Sequence, residues 1–187
     1  MQAWQWIGMT LAVTTVGYVI WCYNRLVFNR HRVAEAWSGI DVQLKRRSSL
    51  IPNLVAALRE YMNYERDTLE ALTAQRANAQ THEGDAVAAR GAAESQLGTT
   101  LMRVMILAEA YPQLKADGNF VALQRALSEV EEQIQMSRRY YNGAVRELNI
   151  LVESAPSNLV AKALRFATAE YFALADAREA QSPKMEF

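Results

Sequence analysis

The chain has 187 residues, room for one domain and an appendage, and its 20 basic and 20 acidic side chains leave a formal net charge of zero. That balance argues against a nucleic-acid binder, which normally carries a marked basic excess. The single cysteine, Cys22, excludes an internal disulfide framework and a cysteine zinc site, and the two histidines, His31 and His82, are too few for an ordinary histidine metal centre.

From Gln2 to Asn24 no side chain is charged. As a helix this run rises about 1.5 Å per residue and matches the roughly 30 Å hydrocarbon core of a bilayer. Trp4 and Trp6 stand near one end, and Trp21, Tyr23 and Arg25 near the other, the pattern expected at two membrane interfaces. Gly8 and Gly17 are tolerated in a membrane helix and let helices approach closely. A cleaved signal peptide would need a basic leader, a shorter apolar core and a small-residue cleavage site. A lipid anchor on Cys22 would need a small residue where Trp21 stands. Residues 1–24 are therefore read as an uncleaved single-pass span, with Cys22 in lipid. Arg25, Arg30, Arg32, Lys45, Arg46 and Arg47 all follow it, so the positive-inside rule predicts an outside amino terminus and a cytoplasmic body. The same side chains suit an anionic leaflet.

Apolar residues then recur at alternating threes and fours, the spacing by which a helix buries one stripe. The stripes are Val33, Trp37, Ile40 and Leu44; Leu54, Leu58, Tyr61, Leu69 and Leu72, with a polar lapse at Glu65; Leu97, Leu101, Val104, Ala108 and Tyr111; and a last one from Phe120 to Val152. In "DVQLKRRSSLIPNLV", residues 41–55, Ser48 or Ser49 is placed to cap a helix whose first turn holds Pro52, which predicts a helix end and a proline-led restart. Residues 80–98 are polar and rich in Ala and Gly, read as a long loop or a frayed helix start. Pro112 either kinks the third helix or begins a separate last turn. Gly118 and Asn119 read as a stop and a cap, and "SAPSNL" ends the longest helix. A short amphipathic piece with Leu159, Val160, Leu164 and Phe166 follows, then a weakly structured tail. The expected fold is all-α: a transmembrane helix running into an antiparallel four-helix-type bundle over residues 25–166, with residues 167–187 as tail.

No catalytic or cofactor-binding set emerges. A di-iron carboxylate bundle needs two Glu-x-x-His motifs, and neither histidine has a glutamate three residues before it. No phosphate-binding Gly-rich loop is present. Lys45, Arg46 and Arg47, and the pair Arg138 and Arg139 beside Tyr140 and Tyr141, are candidate lipid or subunit contacts, weighed against the plainer reading of solvated helix faces.

The chain resembles the LemA family of bacterial membrane proteins. The resemblance is carried by "YNRLV" (23–27), "RVAEAWSGIDVQLKRRSSLIPNLVAALREY" (32–61), "ERDTLEALTAQRANA" (65–79), "AEAYPQLKADGNFVALQRALSEVEEQI" (108–134) and "RRYYNGAVRELNILVESAPSNLVAKALRF" (138–166). Ser48 and Ser49 stand where members often carry a histidine and a small acidic or polar residue. Ala155 replaces a usual aromatic, and "AKALRF" a more Gly- and Phe-rich stretch. The resemblance implies an amino-terminal membrane helix and a helical-bundle domain, and brings no established activity or cofactor. The expected function is a non-enzymatic scaffold at the bacterial inner membrane, with the lipid bilayer and further copies of itself as partners. The alternative is a membrane-tethered adaptor that docks another cytoplasmic protein. Neither a nucleic acid, a metal, nor a small-molecule substrate is expected.

Overall fold

The computed structural model describes residues 2–173. Its elements are α1 (Gln2–Arg59), a 3-10 turn (Asn63–Glu65), α2 (Arg66–Thr81), α3 (Val87–Ala108), α4 (Pro112–Ala116), α5 (Gly118–Glu153) and α6 (Ser157–Ala163), with no strand among the described residues. The fold is all-α and begins with a long apolar helix. Contacts divide it into two units: residues up to Gly39 with Arg139–Glu170, and Ile40–Arg138 with residues 171–173.

The second unit is a four-helix bundle made from the end of α1, α2, α3 and the start of α5. Short turns between successive helices make neighbours antiparallel. Its core joins Ile51, Leu54 and Leu58 of α1, Leu69 and Leu72 of α2, Leu97, Leu101 and Val104 of α3, Leu114 of α4, and Phe120 and Leu127 of α5. One stretch expected to be broken is continuous, and one left between a long loop and a frayed helix start is mostly helix.

The first is the break at Ser49 and Pro52, which does not occur: α1 runs through it to Arg59. Two causes combine. Val33, Trp37, Ile40, Leu44, Arg47, Ile51, Leu54 and Leu58 keep the alternating spacing across the supposed stop, so one face has a continuous reason to stay helical. Pro52 has no N–H for the carbonyl four residues back, that of Ser48. Arg76 of α2 donates its Nε–H to that carbonyl at 2.8 Å and satisfies it. Ser49 caps nothing; its hydroxyl donates to the Arg46 carbonyl at 2.8 Å.

The second is residues 80–98. Only 82–86 form a turn, and α3 begins at Val87. Its first turns bury Arg90, Ala93 and Glu94. Gly91 is required there, since a Cβ would stand 2.8 Å from the Ala173 carbonyl and 3.5 Å from the Phe172 ring. Pro112 starts the separate helix α4. The cap of α5 is Asp117 rather than Asn119: its Oδ1 accepts the backbone N–H of Asn119 at 2.8 Å and of Phe120 at 3.2 Å.

The first unit holds the beginning of α1, the end of α5 and α6. Cys22 and Leu26 of α1 pack with Leu148 of α5 and Val160 and Ala161 of α6, flanked by Tyr18, Leu151, Val152 and Phe166. Cys22 is thus covered by protein, not lipid: α6 packs on α1 at that turn, and the Ser157 carbonyl lies 4.0 Å from the Cys22 Sγ. Trp37 packs against Tyr141 with the rings tilted at 58° and their centroids 5.4 Å apart. After α6 the chain is non-helical but pinned. Asn149 Nδ2 donates to the Ala169 carbonyl, Ala169 N–H donates to Asn149 Oδ1, and Tyr141 Oη donates to the Glu170 carbonyl. The rest of the expected tail, residues 174–187, lies outside the described residues.

Candidate functional site

Residues 4–21 of α1 present their apolar side chains outward on nearly every face. Trp4 is 80% exposed, and Trp6, Ile7, Met9, Leu11, Val13, Val16, Ile20 and Trp21 are exposed with it. This is the only helix among the described residues that is long and apolar enough to cross a membrane. The threonine hydroxyls of the segment are satisfied within the helix. Thr10, Thr14 and Thr15 each donate a hydroxyl to the carbonyl four residues back, at 2.8 Å. A helix satisfies its own backbone, and with its threonine hydroxyls turned back onto it this segment meets the main requirement for hydrocarbon. From Trp4 to Tyr23 the axial rise is about 28 Å. At the far end Arg25 lies over the Trp21 ring, 5.2 Å from its centroid, and Tyr23 meets Phe166 edge-on at 6.1 Å.

The six basic residues that follow do not share one fate. Lys45 and Arg46 are exposed, Lys45 paired with Asp41 one turn earlier at 2.7 Å and Arg46 with Glu129 at 4.0 Å. Exposed pairs of this kind contribute little. Arg139 is exposed. Arg47 and Arg138 are buried, so they are not free for lipid or for another subunit. Arg47 lies at a seam position of α1 and enters an ion network in the second unit. It pairs with Glu94 of α3, donates to Glu131 Oε1 at 2.8 Å and to the Glu94 carbonyl at 3.1 Å. Glu94 also binds Arg90 at 3.0 Å, and Arg90 donates to the Ala79 carbonyl at the end of α2, at 2.7 Å. Asp41 and Glu83 complete the rim of the Arg90 guanidinium at 3.8 and 3.9 Å. Burial works against the Arg47 cation, but the Glu131 and Glu94 carboxylates outweigh it and hold the guanidinium above its ordinary value.

The sequence alone does not single out Arg90 and Glu94, because a polar, Ala-rich stretch resembles a solvated face. The signal was present: Arg90, Glu94, Leu97, Leu101, Val104 and Ala108 form one seam at fours and threes, with opposite charges at i and i+4. The network ties α1, α2, α3 and α5 of the bundle together, and its charges are spent on one another. A depression of about 290 Å³ in the same unit is lined by Arg59, Met62, Arg66, Leu69 and Glu70, none of them in the network. His82 Nδ1 contacts the Asn78 carbonyl at 2.9 Å within its own helix end. Among the described residues no group of three or more His, Cys, Asp or Glu is placed to hold a metal ion.

Fold and site together define an all-helical protein with a lipid-compatible amino-terminal helix and an ion-pinned bundle. The LemA family model matches residues 36–187, most of the chain, and the chain belongs to the LemA family. Protein LemA of Metamycoplasma hominis is 25% identical over 156 residues, covering 81% of this chain and 71% of that protein. Magnetosome proteins MamQ 1 and MamQ 2 of Paramagnetospirillum magneticum are each 32% identical over 80 residues, 43% of this chain and 29% of their own length.

Proposed function

We propose that the chain is a non-enzymatic scaffold anchored in the bacterial inner membrane by residues 4–21, with its amino terminus outside, its bundle in the cytoplasm, and further copies of itself as partners. The observation that carries the anchoring is the all-round exposure of apolar side chains on a segment whose threonine hydroxyls are already satisfied. Arg25, Arg30 and Arg32, close after the segment, support the orientation. The stripes that suggest partner helices in the sequence are filled within the chain. Self-association therefore rests on the span, where Gly8 and Gly17 have nothing within 4 Å of a Cβ position and leave room for a second backbone. Exposed Lys45, Arg46 and Arg139 are the remaining lipid or subunit contacts.

The test is the particle size of the full chain extracted in mild detergent, by light scattering with electron-microscope images. A uniform particle several times the mass of the 21.1 kDa chain is expected. A single-chain particle would refute self-association. Crosslinking in cells to a reproducible foreign protein would then establish the adaptor reading.

A further inference from the structure

The apolar surface of the first unit does not stop at α1. α6 packs against α1 at Tyr18, Cys22 and Leu26, the level of the Trp21, Tyr23 and Arg25 belt. Its inner side chains, Val160 and Ala161, are buried, while Leu159 is 70% exposed and Leu164 is exposed at its end. Between and beside these leucines stand exposed Lys162 and Arg165. Arg25 over Trp21 and Arg30 over Phe166, the latter at 5.4 Å, add two cations from α1 at the same level. Arg32 is already paired with Glu147, and Glu153 at the end of α5 is the nearest exposed carboxylate in sequence to α6.

The end of α6 is held by backbone bonds from Leu164 N–H to the Val160 carbonyl at 3.0 Å, Phe166 N–H to the Ala161 carbonyl at 2.9 Å and Arg165 N–H to the Lys162 carbonyl at 3.3 Å. This termination places Arg165 at φ 56, a conformation that glycine adopts freely and other residues reach at a cost. Arg165 therefore sets an exposed cation next to Leu164 in the chain at some expense to the cap.

We infer that α6 is a second membrane contact: Leu159 and Leu164 enter the headgroup boundary beside Trp21 and Tyr23, and Lys162, Arg165, Arg25 and Arg30 bind anionic lipid headgroups. This rests on the anchoring reading above and goes beyond it, because it assigns a lipid-binding surface outside the span. Exposed leucines alternating with cations, at the level of an aromatic belt, fit the chemistry of an anionic interface.

The test uses the full chain, with Cys22→Ala, in vesicles of three parts phosphatidylethanolamine to one part phosphatidylglycerol. Single cysteines at Val13, Leu159, Leu164 and Ile106 carry an environment-sensitive fluorophore. Quenchers are a spin label at headgroup depth, one on the acyl chain, and iodide in water. Labels at Leu159 and Leu164 are expected to respond to the headgroup quencher and be shielded from iodide, while the label at Ile106, exposed on α3 of the second unit, answers iodide alone. Replacing phosphatidylglycerol by phosphatidylcholine, or combining Lys162→Glu with Arg165→Glu, is expected to return the Leu159 label to iodide. Val13 in the acyl region with Leu159 open to iodide would overturn this inference and leave the anchor standing. Val13 open to iodide would sink both. Leu159 shielded from all three quenchers would mean that protein covers α6, which also overturns the lipid assignment.

Discussion

Glu94 is shared by two guanidiniums, Arg47 and Arg90, and all three side chains are almost sealed from solvent. Breaking a buried ion pair by removing one partner is costly because the charge left behind cannot recover its water. Arg47→Met leaves Glu94 with Arg90 still bound, so we expect a loss near the lower end of the range for such pairs, about 3 kcal/mol. Glu94→Gln should cost more, since two buried cations then depend on the half-exposed carboxylates of Glu131, Glu83 and Asp41. Thermal unfolding of the full chain in detergent, followed by circular dichroism, ranks the two; the reverse order would show that Glu94 is not the hub. Asp117 gives a pH signature at the same scale. The N–H groups of Phe120 and Asn119 hold its carboxyl below the ordinary 3.8, with the Tyr61 hydroxyl assisting. A depressed carboxyl contributes stability that is present above its unfolded value and is lost as pH falls through the folded one. Asp117→Asn keeps the cap geometry. It should therefore leave stability near pH 7 little changed and remove part of the decline below pH 4, measured as unfolding midpoint against pH.

At the scale of the helix, α1 persists through Pro52 because Arg76 takes over the carbonyl that proline abandons. Arg76→Met leaves the Ser48 carbonyl without that donor, at a cost of about 1–3 kcal/mol for an unmet, partly buried group. Pro52→Ala restores an N–H to the same carbonyl. In that background Arg76→Met should cost at least about 1 kcal/mol less, a coupling that a double-mutant cycle of unfolding free energies resolves. Additive losses would mean that Arg76 acts elsewhere. The same residues mark the limit of what the sequence discloses. The stripes from Leu97 to Ala108 and from Phe120 to Val152 were readable because apolar periodicity is a local property of one helix. The continuity at Pro52 was not, because the donor that rescues it sits on α2, and no local rule names a partner that distant. Arg90 and Glu94 lay between these cases: their spacing continues a seam, but their charge directs the eye to solvent. The sequence puts Cys22 in lipid for a related reason: twenty-odd uncharged residues look uniform, and only the fold has α6 cover one turn of them.

For the molecule as a whole, the apolar helix has two jobs that separate along its length. Residues 4–17 touch little of the protein, whereas Cys22 and Leu26 belong to the core of the first unit and Tyr18 packs against it. The core of the second unit begins at Ile51. Two truncations should therefore behave differently. A chain starting at residue 18 loses most of the exposed apolar surface and keeps both cores, so it should remain folded and no longer need detergent. One starting at residue 27 also loses Cys22 and Leu26. Burial of a leucine alone is worth about 2–3 kcal/mol, enough to unseat a seven-residue helix that has little stability of its own. Amide hydrogen exchange reads the outcome along the chain. In the shorter chain, protection should collapse over residues 157–170 while Leu97, Leu101 and Val104 of α3 stay protected; in the longer one both regions should hold. Equal protection of residues 157–170 in the two chains would show that α6 does not depend on the end of the span. The coupling of anchor to α6 would then be lost as an explanation for why an apolar helix carries a buried cysteine.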